Sequence, residues 1–131
     1  MKKKVGLMQR NHVKLISMDT IPIEEVKWLL YPFIPLGKIT ILQGDPGEGK
    51  TTLALQIIAA LTTGKPVWEG APPMEPVNVI YQTAEDGLSD TIKPRLVAAG
   101  ADCARVMVID DSDRVLKLDD DRLEQAIEQT G

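Results

Sequence analysis

The alternation of apolar and polar positions predicts three strand-helix units between Lys38 and Gly131. Ile39-Thr40-Ile41-Leu42 is a short β-branched, apolar run closed by a Gly-rich turn, the pattern of a buried parallel strand. Thr51 to Thr63 follows as a helix that is apolar on nearly every side (Leu53, Leu55, Ile57, Ile58, Leu61) and is stopped by Gly64 and Pro66. Gly64 to Pro76 holds four prolines and reads as a loop, and Val77 to Gln82 reads as a second buried strand. Leu88, Ile92 and Leu96 recur every four residues in an amphipathic helix ending at Gly100; Pro94 fits it only if the regular helix starts near Asp90 or Thr91. Val106 to Ile109 is the third strand, and Asp119 is placed to cap a last helix carrying Leu123, Ala126 and Ile127. Such alternation implies an α/β fold, a parallel sheet with helices on both faces. Ahead of it, residues 1–27 are weakly periodic and Trp28 to Gly37 carries Pro32 and Pro35, so 1–37 reads as an arm leading into a core of 38–131.

Composition narrows the class. With 131 residues, 44% hydrophobic and 26% charged, the chain suits one globular domain rather than a disordered tail, a collagen-like repeat or a disulfide scaffold. Five aromatic residues leave the core to aliphatic side chains. The single Cys103 has no internal partner, which favours a reducing compartment, and no metal-ligand cluster is visible. The basic opening MKKK is interrupted by Gln9, Arg10, Asn11 and His12 before any apolar run of signal-peptide length, so a cytoplasmic chain without a membrane span is expected. Net charge is -4, with a basic excess in residues 1–38 and an acidic one in 102–131. That balance argues against a module that grips nucleic acid with its own basic face.

The chemistry lies in one segment. Gly44-Asp45-Pro46-Gly47-Glu48-Gly49-Lys50-Thr51 satisfies Gly-x-x-x-x-Gly-Lys-Ser/Thr and stands between a predicted buried strand and a predicted helix N-terminus, as a phosphate-cradling loop must. Gly44, Gly47 and Gly49 let the backbone curl without Cβ clashes, so that N–H groups from Gly47 to Thr52 point at a triphosphate with help from the helix dipole. Pro46 lacks an N–H but lies on the outer limb, where none is needed. Lys50 would put its ammonium on the β and γ phosphates of ATP, and the Thr51 hydroxyl would ligate the bridging Mg²⁺.

The loop GDPGEGKTTLALQIIAALTTG, the preceding WLLYPFIPLGKITILQG and the following VNVIYQTAEDG together resemble the RecA-like P-loop ATPases, an AAA-family type, and within them the RepA- and DnaB-type hexameric helicases. The resemblance spans Trp28 to Gly131. It implies a three-layer αβα P-loop NTPase fold and a glutamate after the second strand that activates the attacking water; Glu85, in QTAEDG, matches that position. An acid just past a strand's C-terminal end lies where ligands of open α/β sheets bind, which supports the role. The simpler alternative makes Glu85 and Asp86 first-turn acids favouring the next helix dipole.

Val106-Met107-Val108-Ile109-Asp110 fits a Walker B string, in which Asp110 would hold the Mg²⁺ shell. By the resemblance, however, this run is the strand before Walker B, which would follow the helix containing Leu123 and Ile127, so the chain would be the front part of such a fold. The resemblance also implies a homo-hexamer with ATP between subunits, and single-stranded DNA as a partner through other segments or subunits. Arg95, Arg105, Arg114 and Arg122 read as surface arginines, none in a context that marks an arginine finger. Trp28, Tyr31 and Phe33 read as packing residues under a sheet edge before base-stacking ones. ATP hydrolysis is the leading expectation. Nucleotide binding without appreciable turnover is the alternative, and a small-molecule P-loop kinase, for which an arginine-rich lid is missing, comes third.

Overall fold

The computed structural model describes residues 11–131, which divide after Ile41 into two compact units. In the first unit, β1 (Trp28–Leu30) pairs antiparallel with β2 (Ile34–Pro35), so the proline-bearing stretch expected to be an irregular arm contains a short hairpin. Its turn includes a cis Tyr31–Pro32 bond and is closed by Phe33 N–H donating to the Leu30 carbonyl at 2.7 Å. Trp28 and Tyr31 meet edge to face with ring centroids 5.3 Å apart, while Tyr31 and Phe33 keep about two thirds of their surface exposed (69% and 65%). The aromatic residues thus decorate their own hairpin; within this unit they do not lie beneath a sheet.

The strand expected at Ile39–Leu42 does not form. Ile39 is 92% exposed and Ile41 83%, and no ladder among the described residues reaches them. An apolar run is a strand only when a neighbour satisfies its N–H and C=O groups, and none does here.

In the second unit, α1 (Lys50–Thr63) begins at Gly49 and ends at Gly64, both left-handed. β3 (Val79–Ile80) pairs in parallel with β4 (Val106–Met107), Val79 opposite Val106 and Ile80 opposite Met107. These strands are shorter and less buried than the sequence pattern predicts, and among the described residues the parallel sheet has two strands where three were expected. Between them a wide π turn at Leu88–Ile92 leads into α2 (Lys93–Ala98), so Pro94 falls in the first turn, where a missing N–H costs nothing. The last helix is α3 (Asp121–Thr130).

The core is aliphatic, as five aromatics require. Leu55 and Ile58 of α1 pack with Ile92 and Leu96, and Val79, Tyr81, Cys103 and Val106 close around them. Val79 and Tyr81 share that face because strand side chains alternate. Ile80 and Met107 therefore point the other way, where with Ala126 and Thr130 they line a cavity of about 400 Å³ beside α3. Buried Thr62 ties the end of α1 to the turn that follows α2: its hydroxyl donates to the Ile58 carbonyl (2.9 Å) and accepts from Asp102 N–H (3.1 Å).

Gly64 sits against neighbouring backbone. At φ 72°, it donates no side chain, and a Cβ there would run into the Met74 carbonyl and lie 3.1 Å from the Pro76 ring. The proline loop is held against the helix end by Val77 N–H on the Leu61 carbonyl (2.9 Å). Gly64→Ala is therefore expected to cost more than the roughly 1–2 kcal/mol of a left-handed residue. Gly70→Ala, equally left-handed at φ 86° with open space around it, should cost only that conformational share. Thermal unfolding of both variants makes the comparison.

The cap of α3 is Asp120, one residue after the predicted Asp119. Its extended backbone (φ -83°, ψ 129°) lets Oδ1 accept from Arg122 N–H at 3.0 Å, and the Arg122 guanidinium closes a fork on both carboxylate oxygens at 3.0 and 2.8 Å. In a run of three aspartates the arginine decides which one caps. Hydrogen bonds from the Arg122 side chain and backbone hold the Asp120 carboxyl well below the usual carboxylate range. A folded-state value below the unfolded one, near about 4, means that this stability is fully present above that pH and is lost as pH falls further. Asp120→Asn keeps a capping oxygen without the charge, so its unfolding temperature should fall less steeply than the wild type's between about pH 4 and pH 2.

Candidate functional site

The segment entering α1 shows how its sequence makes a cradle. Glu48 N–H donates to the Asp45 carbonyl at 3.3 Å, closing a turn with Pro46 second and Gly47 third at φ 82°. That is the turn in which proline sets the first central φ and glycine supplies the positive second one. Asp45 N–H donates back to the Glu48 carboxylate at 2.8 Å. Gly44 permits this approach, since a Cβ there would stand 2.7 Å from Glu48 Oε2. Gly49 then takes φ 89° to turn the chain into the helix.

The helix start is left open to an anion. Leu53 N–H is the amide that closes on the Gly49 carbonyl, at 2.9 Å, so those before it have no intrahelical acceptor. No side chain caps them. Over a 14-residue helix the dipole adds a partial positive charge at the same point. Lys50 supplies a full one: its Nζ donates to the Gly44 carbonyl at 2.6 Å and the Asp45 carbonyl at 2.8 Å, which draws the loop's two limbs together and leaves a third N–H. Half-buried Thr51, next along, offers a hydroxyl in the first turn. A glycine-shaped cradle, bare amides and a lysine at its mouth are the donor set that a polyphosphate with Mg²⁺ requires; the loop would hold the phosphates and Thr51 the metal.

The two candidate acids follow β3 and β4. Glu85 is exposed in the turn after β3, where its N–H and that of Asp86 are oriented by the Thr83 hydroxyl at 3.3 and 3.5 Å. Beyond the last ladder pair, the Gln82 side-chain amide bonds both ways to the Ile109 backbone, at 3.1 Å each, and so continues the parallel pairing by one step. That bridge brings Glu85 and Asp110 to the same edge, the C-terminal ends of two adjacent parallel strands. Asp110 is exposed, accepts from Ser112 N–H at 3.0 Å, and is held below its ordinary value by hydrogen bonds from Ser112.

One residue of the site is invisible to local sequence patterns. Arg95, on α2, donates from Nη2 to Thr52 Oγ1 at 2.7 Å across 43 positions. Its charge also reaches the end of β3, where burial and Asp86 push the Tyr81 phenol up while Arg95 and a Thr83 hydrogen bond pull it back. Among the described residues the other arginines each have a carboxylate partner: Arg105 pairs with Asp102 and also donates to Asn78, and Arg114 and Arg122 pair with Asp120.

Comparison with known families decides what this cradle belongs to: the AAA domain matches residues 7–131. The chain belongs to the AAA domain family. As an AAA domain it has the P-loop NTPase fold, and ATP with Mg²⁺ is the ligand that the family points to. It is also 31% identical over 67 residues to the mouse NFX1-type zinc finger-containing protein 1, and 30% identical over 67 residues to the human protein of that name. Each alignment covers 51% of this AAA domain and 4% of the relative, so the chain spans a small part of those proteins. No solved structure matches it significantly. Among the described residues no helix is long and apolar enough to cross a membrane.

Proposed function

We propose that this AAA domain binds Mg²⁺-ATP on Gly44–Thr52 and hydrolyses it, as the core of a cytoplasmic RecA-like ATPase of the RepA and DnaB helicase type. The observation that carries the reading is the glycine-shaped loop with Lys50 at its mouth, leading into an uncapped helix start. The loop amides and Lys50 bind the phosphates, with Asp45, Pro46 and Glu48 shaping the turn. Magnesium would neutralise phosphate charge when bound, and the Thr51 hydroxyl would be its protein ligand. Asp110 would stand in the metal's outer shell.

Glu85 orients the attacking water and takes its proton while the bond between the γ-phosphorus and the bridging oxygen breaks, releasing ADP and phosphate. A strand-end carboxylate beside a parallel sheet is suitably placed for this. The finer reading, a three-layer αβα sheet assembled into a homo-hexamer that acts on single-stranded DNA, is supported by the likeness of three stretches between Trp28 and Gly87 to that branch. Phosphate release measured with and without single-stranded DNA tests it. Release that saturates with ATP and increases with DNA is expected; tight ATP binding with no release under either condition would leave a nucleotide-binding module and reject hydrolysis.

A further inference from the structure

Arg95 is a cation without a carboxylate partner. None of the ion pairs among the described residues includes it, although Arg105, Arg114 and Arg122 are each paired. It is half-buried, and it spends one N–H on the hydroxyl of Thr52, in the first turn of α1. A guanidinium has five N–H donors in a fixed plane, so this bond orients the group and leaves the other donors available. Thr52 N–H is one of the amides that lack an intrahelical acceptor, so the guanidinium is anchored beside the open helix start. An unpaired, oriented cation next to bare amides fits an anion of at least two charges better than it fits solvent.

We propose that Arg95 is a second cation of the nucleotide site, acting with Lys50 from the opposite limb to take a phosphate oxygen of the bound nucleotide. The inference rests on the nucleotide-binding reading of the loop. Lys50 is tied to Gly44 and Asp45 at the loop's entry, whereas Arg95 is tied to Thr52 at its exit, so the two charges bracket the cradle. Because Arg95 stands at the exit, it serves phosphates common to ATP and ADP and is indifferent to the base.

The test is equilibrium binding of ATP, ADP, inorganic triphosphate and adenosine to the full chain and to Arg95→Gln. Glutamine keeps a donor for Thr52 and removes the charge. Affinity for ATP, ADP and triphosphate should each fall about tenfold, the usual share of one charge-assisted hydrogen bond, while the unfolding temperature stays near the wild type's. Arg95→Lys should recover part of the loss. Unchanged triphosphate affinity in Arg95→Gln would overturn the proposal, and so would a loss for ATP without one for triphosphate, which would make Arg95 a base contact. Lys50→Ala serves as the control for the underlying reading. If that variant loses ATP and Arg95→Gln does not, the loop stands and only the role of Arg95 fails; if neither loses it, the site itself is misplaced.

Discussion

Lys50→Ala is expected to lose ATP affinity by at least about a hundredfold with almost no change in unfolding temperature. A hydrogen bond to a charged group contributes roughly 1.5–3 kcal/mol, and each 1.4 kcal/mol is about a tenfold change in affinity. With two N–H groups on the Gly44 and Asp45 carbonyls, Lys50 has a third for the phosphates, so one such bond disappears with it, together with the positive charge opposing a triphosphate. A second consequence follows from the fold. The lysine bridges the Gly44 and Asp45 carbonyls at 2.6 and 2.8 Å, so without it the loop's limbs are held only by the Asp45–Glu48 turn and the cradle loses its preorganised width. Stability is spared because both carbonyls are exposed and exchange the lysine for water. Titration calorimetry with ATP and Mg²⁺ checks the affinity, and a thermal melt checks the fold.

Glu85→Gln should separate binding from turnover. The glutamine cannot accept the proton of the attacking water, and loss of a general base lowers rates by about 10²–10⁴-fold. The backbone around it is unaffected, because the Thr83 hydroxyl holds the Glu85 and Asp86 amides rather than the carboxylate. ATP affinity should thus remain near the wild-type value while kcat collapses. An unchanged kcat would leave Glu85 as a first-turn acid that favours the following helix dipole, and would shift attention to Asp110 on the same sheet edge.

Where the decisive contacts are local, the sequence was easy to read. The loop from Gly44 to Thr52, the stop of α1 at Gly64 and the position of Pro94 in a first helical turn all depend on backbone geometry that glycine and proline set by themselves. The parallel pairing of β3 with β4 was legible from two apolar runs separated by a helical pattern, although the ladder is shorter than those runs.

Reading failed where a partner decides the outcome. Ile39–Leu42 has every residue preference of a buried strand, yet preference supplies no ladder, and its side chains stay exposed. The hairpin at Trp28–Pro35 was hidden by prolines that usually mark irregular chain; Pro35 sits at the pairing's end, where no N–H is required. The choice of Asp120 over Asp119 depends on the Arg122 fork. Arg95 looked like any surface arginine because its partner, Thr52, is 43 residues away. The Gln82–Ile109 bridge, which joins the segments leading to the two candidate acids, is likewise a contact between distant segments that no local spacing announces.

The claim on which the rest depends is that the loop from Gly44 to Thr52 holds the phosphates of ATP. Backbone amide NMR during titration with ATP and Mg²⁺ addresses it residue by residue. The amides of Gly47, Gly49, Lys50, Thr51 and Thr52 should shift strongly and saturate together, while those of α3 move little. Saturable shifts centred on the cavity lined by Arg114, Lys117 and Arg122, with the loop amides unmoved, would contradict the account.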